Sequence, residues 1–240
     1  MNVADHAVRL AELHESAGFT ATRFDRGPTF TGRVAVLPSA YNPPTRAHLG
    51  LLELARSVEG VSMVAAMLTT NNVDKSLFGA PLSHRVGMLL ALHQESPHVA
   101  VVASNAARIM DQGMALQASF PGVGFDFVVG FDTLVRLFDP KYYGDMPSSL
   151  VRFFSSHRVI ATNRAQATLS AVRDFVRGED VRAHSDRILV RELRADHAAL
   201  SSTAARGEVA AGAVGDALTP GVAAYVQKFG LYLGNGAAER

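Results

Sequence analysis

Apolar residues recur along this chain with two alternating spacings. Short apolar runs, the pattern of buried strands, fall at 33–38, 61–68, 98–103, 125–130, 158–162 and 187–191. Between them, apolar positions return at helical spacing and predict helices at 46–57, 82–94, 105–118, near 132–138 and at 168–177. Apolar strands separated by amphipathic helices indicate an α/β fold, a Rossmann-like and mostly parallel sheet with helices on both faces.

Two segments flank this alternation. Residues 1–30 read as a helix and a loop, an N-terminal helical extension in front of a main domain spanning 31–240. The tail at 201–233 reads as a C-terminal helical portion with two short helices, the second opening after Thr219-Pro220, a favourable N-cap and N1 pair. The Ala- and Gly-rich stretch 204–215 weakens the first of them.

Ligands in such folds sit beyond the carboxyl ends of the strands. That rule collects Asn42 to His48, Thr69 to Lys75, Gly130 with Asp132, and Thr162 to Arg164 on one edge of the sheet.

Composition narrows the chemistry. With 240 residues and 48% hydrophobic content, the chain buries a full core without a disulfide or structural metal. It has no cysteine, which removes thiolate chemistry and sulfur-ligated metal sites. A net charge of +1 gives no broad field for nucleic acid, so phosphate recognition must be local. No run reaches the roughly 18 apolar residues of a membrane span. The acidic start of MNVADHAVRLAELHES is unlike a secretory signal, and a cytoplasmic protein without membrane partners is expected. A homo-oligomer stays open, since the first helix could cover an edge, extend the core or mediate assembly.

The stretch VAVLPSAYNPPTRAHLGLLELA runs a strand through an Asn42-Pro43-Pro44 turn into a helix opened by Thr45 and His48. A histidine there can face a phosphate held by the unpaired N–H groups and positive dipole end of the helix. An ordinary N-cap followed by a partly buried histidine explains the pair equally well. Lys75, in the polar loop TTNNVDKSLFG, is either a phosphate-reaching ammonium or a solvated loop lysine. His84-Arg85 open a later helix, and one of them reads as structural. Ser201-Ser202-Thr203 cap a helix whose first turn carries Arg206, a cation that the dipole disfavours unless an anion is bound. Dinucleotide G-x-G-x-x-G, phosphate-loop G-x-x-x-x-G-K-S/T and nucleophile-elbow G-x-S-x-G motifs are absent.

These residues resemble the nicotinamide/nicotinate mononucleotide adenylyltransferases, a branch of the nucleotidyltransferase superfamily with an H/T-x-x-H motif near the N-terminus and S-S/T-T-x-x-R near the C-terminus. The matches are Asn42-Pro43 with Thr45 and His48, Lys75 with His84-Arg85, Gly130-Phe131-Asp132, Arg164, and Ser201-Ser202-Thr203 with Arg206, spanning roughly residues 33–233. The resemblance implies a nucleotidyltransferase-type fold and transfer of AMP from ATP to the 5′-phosphate of a pyridine mononucleotide. It implies that His48, Lys75 and Arg206 act on the phosphates, and that Mg²⁺ is held mainly through phosphates and water. Nucleotide contacts are then expected from Ser39, Ala40, Tyr41, Thr45, Gly130, Asp132, Tyr143, Arg164, Ser201, Ser202 and Thr203.

Three positions depart from the family pattern. Ser39-Ala40-Tyr41 replaces a glycine-containing loop under the ATP phosphates, and Ala47 stands where H-x-G-H has glycine. The chain also has no tryptophan, where relatives stack the pyridine ring on one or two. Tyr143 can supply one aromatic face or pack over the sheet edge; Ala106, the second local match, cannot stack. Two alternatives therefore accompany the reading: transfer to another phosphorylated acceptor such as phosphopantetheine, and a nucleotide-binding protein without catalysis.

Overall fold

The computed structural model describes residues 2–71, 78–164, 167–213 and 215–233. Its centre is a sheet of six parallel strands, β2 (Arg33–Ser39), β3 (Val61–Thr69), β4 (Val99–Ser104), β5 (Gly124–Gly130), β6 (His157–Thr162) and β7 (Ile188–Arg191). A short seventh strand, β1 (Ala21–Arg23), adds to one edge antiparallel to β4, giving the order β1-β4-β3-β2-β5-β6-β7.

Each strand feeds both faces of this sheet, which explains its near-continuous apolar sequence. On one face Ala35, Leu37, Val64, Ala66, Leu68, Val101 and Val128 meet α1 (Val3–Glu15), α2 (Arg46–Arg56), α3 (Leu82–Glu95), α9 (Ser202–Ala210) and α10 (Pro220–Lys228). On the other, Val34, Val36, Met67, Phe125, Phe127 and Val159 meet α4 (Ile109–Ser119), α5 (Phe131–Leu137), α6 (Met146–Ser156) and α7 (Leu169–Arg177). A single-turn helix, α8 (Ala195–Ala198), lies beside α2. Each fully buried Leu, Val or Phe contributes about 1.5–3 kcal/mol of transfer free energy, so the two helical layers hold the sheet between them.

The chain leaves β2 toward β3 and β4, then returns to β5 on the other side of β2. Strand order reverses at β2, and a crevice opens at such a point. Pairing between β2 and β5 stops at Val36 and Phe127, although β2 continues to Ser39 beside β3 and β5 to Gly130 beside β6. Pro38, which has no N–H for a ladder, lies where the two strands part.

Three local differences from the sequence reading have physical causes. The loop within residues 1–30 contains β1, and Asn105 ties it down: its Oδ1 accepts from Thr20 N at 2.9 Å and its Nδ2 donates to the Leu13 and Gly18 carbonyls. The helix expected from 105 starts at Ile109, because Ser104 and Asn105 spend their polar groups on nearby backbone instead. Helix α6 is absent from the sequence reading, yet Asp145 caps it by accepting from Ser148 N at 3.1 Å, and Leu150, Phe153 and Phe154 form its buried stripe. Among the described residues no helix is long and apolar enough to cross a membrane.

Candidate active site

The gap between β2 and β5 opens into a cavity of about 710 Å³. Its floor is the unpaired strand ends, Leu37 to Ser39 and Val128 to Gly130, and its walls come from α4, α5 and α6. Ser39, Ala40, Gly130, Asp132, Tyr143 and Arg164, drawn from four separate segments of the chain, all line it.

His48 stands directly behind Ser39. It is the third residue of α2, whose N-cap is Thr45, and it is 1% exposed. The Thr45 backbone N–H donates to His48 Nδ1 at 3.0 Å, the role a glutamate plays in a capping box. Nδ1 is therefore the lone-pair nitrogen, with Thr45 Oγ1 also 2.9 Å from it, and the ring proton is assigned to Nε2. Nε2 faces Ser39 Oγ at 3.1 Å. Burial, reinforced by the Arg164 guanidinium, holds the His48 pKa well below its ordinary value. The imidazole is thus a neutral donor with a fixed tautomer, and its Nε2–H is available to an acceptor at Ser39.

Tyr41, expected among the nucleotide contacts, turns its side chain into the core instead. Its hydroxyl donates to the Leu37 carbonyl at 2.7 Å and its ring packs 4.8 Å from the His48 ring, centroid to centroid. The backbone there takes the left-handed conformation, φ 45°, which lets the loop reverse and the phenol point inward.

The second group expected from the sequence to handle phosphate lies outside the cavity lining. Ser201 caps α9 by accepting from Ala204 N at 3.1 Å, and Ser202 Oγ donates to the Pro43 carbonyl at 2.8 Å. Arg206 donates from Nη1 to the Asn42 carbonyl at 2.6 Å and from Nη2 to Thr203 Oγ1 at 3.2 Å, with its Cζ 5.0 Å from the centre of the Phe78 ring. The two ends of the motif pattern, about 160 residues apart, thus meet at one loop. Lys75 falls outside the described residues.

Of the remaining candidates, Gly130 is the N-cap of α5 and lies beside Arg164, where a Cβ would make ordinary contact at 3.4 Å with the Arg164 Cβ. Arg164 makes no hydrogen bond or ion pair among the described residues, and burial lowers its pKa. Asp132 is exposed in the first turn of α5. Tyr143 is anchored by donating to the Leu137 carbonyl at 2.7 Å, and burial pushes its pKa up to about 12. Ala106 is fully buried.

Two residues of the motif pattern, Arg85 and Asn42, act as supports. Arg85 is 2% exposed and spends its guanidinium on the carbonyls of Ala80 (2.8 Å), Ala40 (3.1 Å) and Phe78 (2.5 Å), so it ties the loop after β2 to residues 78–80. The Asn42 side chain bridges the same segments, accepting from Ala80 N at 3.1 Å and donating to the Phe78 carbonyl at 2.8 Å. His84 turns away, with Nδ1 3.3 Å from the Tyr225 hydroxyl and its ring against Phe229. Nothing local in the sequence marks Arg85 as a carbonyl clamp, since its partners lie up to 45 residues away.

Comparison with known proteins places this geometry. No protein-family model matches the chain. A Schizosaccharomyces pombe protein, provisionally named a nicotinamide mononucleotide adenylyltransferase, is 30% identical over 135 residues, 55% of this chain and 53% of that protein. The chain thus spans about half the length of the curated relative it matches. Two structures of Plasmodium falciparum nicotinic acid mononucleotide adenylyltransferase superpose with TM-scores of 0.64 and 0.63, covering 84% of this chain and 98% of theirs, at 15% and 13% identity. The chain has the nucleotidyltransferase-type α/β fold, and its sequence resembles the nicotinamide mononucleotide adenylyltransferases.

Proposed function

We propose that this protein transfers AMP from ATP to the 5′-phosphate of nicotinamide or nicotinate mononucleotide, giving NAD or its deamido form and pyrophosphate. The observation that carries the reading is His48, a buried neutral imidazole whose Nε2–H is aimed at Ser39 on the cavity floor. An oxygen of the mononucleotide phosphate attacks the ATP α-phosphorus in line, the bond to the bridging oxygen of the β-phosphate breaks, and pyrophosphate leaves. No enzyme nucleophile takes part, so the protein contributes positioning and charge stabilisation. His48 donates to the α-phosphate as charge develops, and Arg164, whose charge already acts on His48 and which has no ion pair among the described residues, adds a cation at the same end of the cavity.

Ser202, Thr203 and Arg206 receive the β and γ phosphates, and Lys75 joins them on the strength of the sequence alone. Mg²⁺ enters with ATP. On this reading the ion keeps most of its waters and binds through substrate phosphates. The cavity volume of about 710 Å³ lies within the roughly 300–1,000 Å³ of small-molecule sites. Tyr143 offers the pyridine ring one aromatic face. The Plasmodium structures, one complexed with NaAD and the other with APC, support the same assignment of substrates. The reading includes a cytoplasmic setting, neither nucleic-acid nor membrane partners, and room for a homo-oligomer.

The test is pyrophosphate release with ATP, Mg²⁺ and each mononucleotide in parallel. Release is expected with at least one, and His48→Ala is expected to lower kcat about 10²–10³-fold while the thermal midpoint stays within a few degrees. An H48A protein with wild-type kcat would remove His48 from the chemistry. A second reading, another phosphorylated acceptor such as phosphopantetheine, is favoured by the absence of tryptophan and by Ala106, which is fully buried and cannot stack on a pyridine ring. Turnover with that acceptor and silence with both mononucleotides would select it, and ATP binding without turnover on any acceptor would select a non-catalytic role.

A further inference from the structure

Among the described residues two non-glycine residues adopt positive φ, Tyr41 at 45° and Tyr232 at 66°. Such strain gathers where structure over-determines a position for function. Both tyrosines bear on the same loop. Tyr41 belongs to it, and the Tyr232 hydroxyl donates to Asn42 Oδ1 at 2.8 Å from the opposite end of the chain.

The route that brings Tyr232 there is built step by step. Helix α10 is fixed on α3 by Glu95, whose Oε1 accepts from Gly221 N at 2.6 Å, and by Tyr225, whose phenol lies against Gly87 where any Cβ would collide with it. The helix then closes in a Schellman turn, with Gly230 at φ 58° and Leu231 N donating to the Val226 carbonyl at 3.0 Å. Two residues later the left-handed Tyr232 projects its half-buried side chain under the phosphate loop.

What it reaches is a junction. Asn42 Oδ1 accepts from both Tyr232 and Ala80 N, Nδ2 donates to the Phe78 carbonyl, and the backbone carbonyl of Asn42 accepts from Arg206 Nη1. Gly79, at φ 81°, is pressed so close that a Cβ would sit 2.4 Å from Nδ2. The orientation of the Asn42 amide therefore sets both the loop at 78–80 and the carbonyl on which Arg206 rests. Burial raises the Tyr232 pKa, opposed by Arg85 and Arg206 nearby, so its hydroxyl keeps the proton it donates.

We infer that Tyr232 is a positioning residue for ATP, holding Asn42 so that Arg206 is presented to the phosphates. The inference rests on the proposed adenylyl transfer for the identity of the ligand. It predicts an effect on ATP that runs through Arg206 and leaves the mononucleotide untouched.

The experiment is a double-mutant cycle on the full chain, with Tyr232→Phe and Arg206→Ala made singly and together, and ATP and mononucleotide affinities measured by calorimetry. Phenylalanine keeps the ring and removes only the hydroxyl. Loss of that hydrogen bond is expected to weaken ATP binding about fivefold, with mononucleotide binding unchanged. In the Arg206→Ala background the same change is expected to have no further effect on ATP. Equal weakening of both ligands, an undiminished loss in the Arg206→Ala background, or no loss in Y232F would overturn the inference. A wild-type protein that binds no ATP would instead end the functional reading and the inference with it, whereas a wild type that binds ATP without transferring AMP still decides the role of Tyr232.

Discussion

At the amino end of the sheet, Asp126 lies fully buried near the start of β5 with Arg33 Nη1 at 2.7 Å and Arg158 Nη2 at 2.6 Å. At the carboxyl end, Arg85, Arg164 and Arg206 have no carboxylate partner among the described residues; Arg85 and Arg206 bond to carbonyls and a hydroxyl, and Arg164 to nothing. One sheet thus treats arginine in two ways. A buried carboxylate between two cations is closed chemistry, satisfied within the fold. Cations held by neutral dipoles keep their charge on offer, and under the proposed adenylyl transfer a polyphosphate would supply the counter-charge the fold withholds. On that proposal the difference separates a region built for stability from one whose electrostatics a ligand completes.

The comparison breaks most directly at Asp126. Asparagine keeps the shape but leaves two arginines without their carboxylate, and removal of one partner from a buried pair costs about 3–5 kcal/mol. Urea denaturation of Asp126→Asn should show that loss, while ATP affinity of the folded protein stays at its wild-type value. If ATP affinity falls with stability, the two ends are coupled and the division drawn above is wrong.

His157 sharpens the boundary, since it borders the cavity yet sits near Arg33 and Asp126. Its Nδ1–H donates to the Phe125 carbonyl at 3.3 Å, and Phe127 and Phe153 enclose the ring. Burial lowers its pKa from 6.5 to about 4, with Arg33 acting in the same sense and the Phe125 carbonyl and Asp126 opposing it. Above pH 6.5 the ring is neutral in both folded and unfolded chains; between 6.5 and about 4 only the unfolded chain takes up the proton, so stability falls as the pH drops. The loss across that window should be on the order of 3 kcal/mol, and His157→Gln should remove most of it. His48 and His6, whose pKa values are also lowered by burial, add to the same acid limb, so a residual slope in the variant is expected. An unchanged slope in His157→Gln would assign the acid sensitivity to those two.

These contrasts were only partly legible in the amino-acid sequence. Apolar period marks the six parallel strands and most helices, because strands buried on both faces must be apolar throughout. It says nothing of strand order, so the parting of β2 from β5 that makes the cavity becomes visible only in the pairing. Thr45, His48 and Arg206 announce themselves by position on helix starts. Tyr41 misleads, since a loop tyrosine next to a phosphate motif looks like a contact until its left-handed backbone turns the phenol into the core. Asn42 and Arg85 are visible as motif residues, but their task is not: Arg85 holds the carbonyls of Ala80 and Phe78 close by and of Ala40 45 residues back, Asn42 holds residues 78–80, and backbone partners leave no trace in side-chain pattern.

Arg206 is where the carboxyl end can be tested with the smallest expected effect. Replacing it with alanine removes one charge-assisted contact to the phosphates, about 1.5–3 kcal/mol, or roughly a ten- to 150-fold loss of ATP affinity. Stability should change little, because Thr203 is exposed and the contact to the carbonyl of the otherwise buried Asn42 is only part-buried, so water can replace the guanidinium. Arg206→Lys then separates charge from shape. An ammonium keeps the charge but cannot hold the Asn42 carbonyl and Thr203 Oγ1 together with a planar fork, so it should restore part of the affinity and leave a salt-sensitive remainder. Full recovery by lysine would mean that the site asks only for a cation and that the bonds to Asn42 and Thr203 are incidental. Partial recovery would mean that the fold spends those two bonds on aiming the guanidinium, which is what a region completed by its ligand requires.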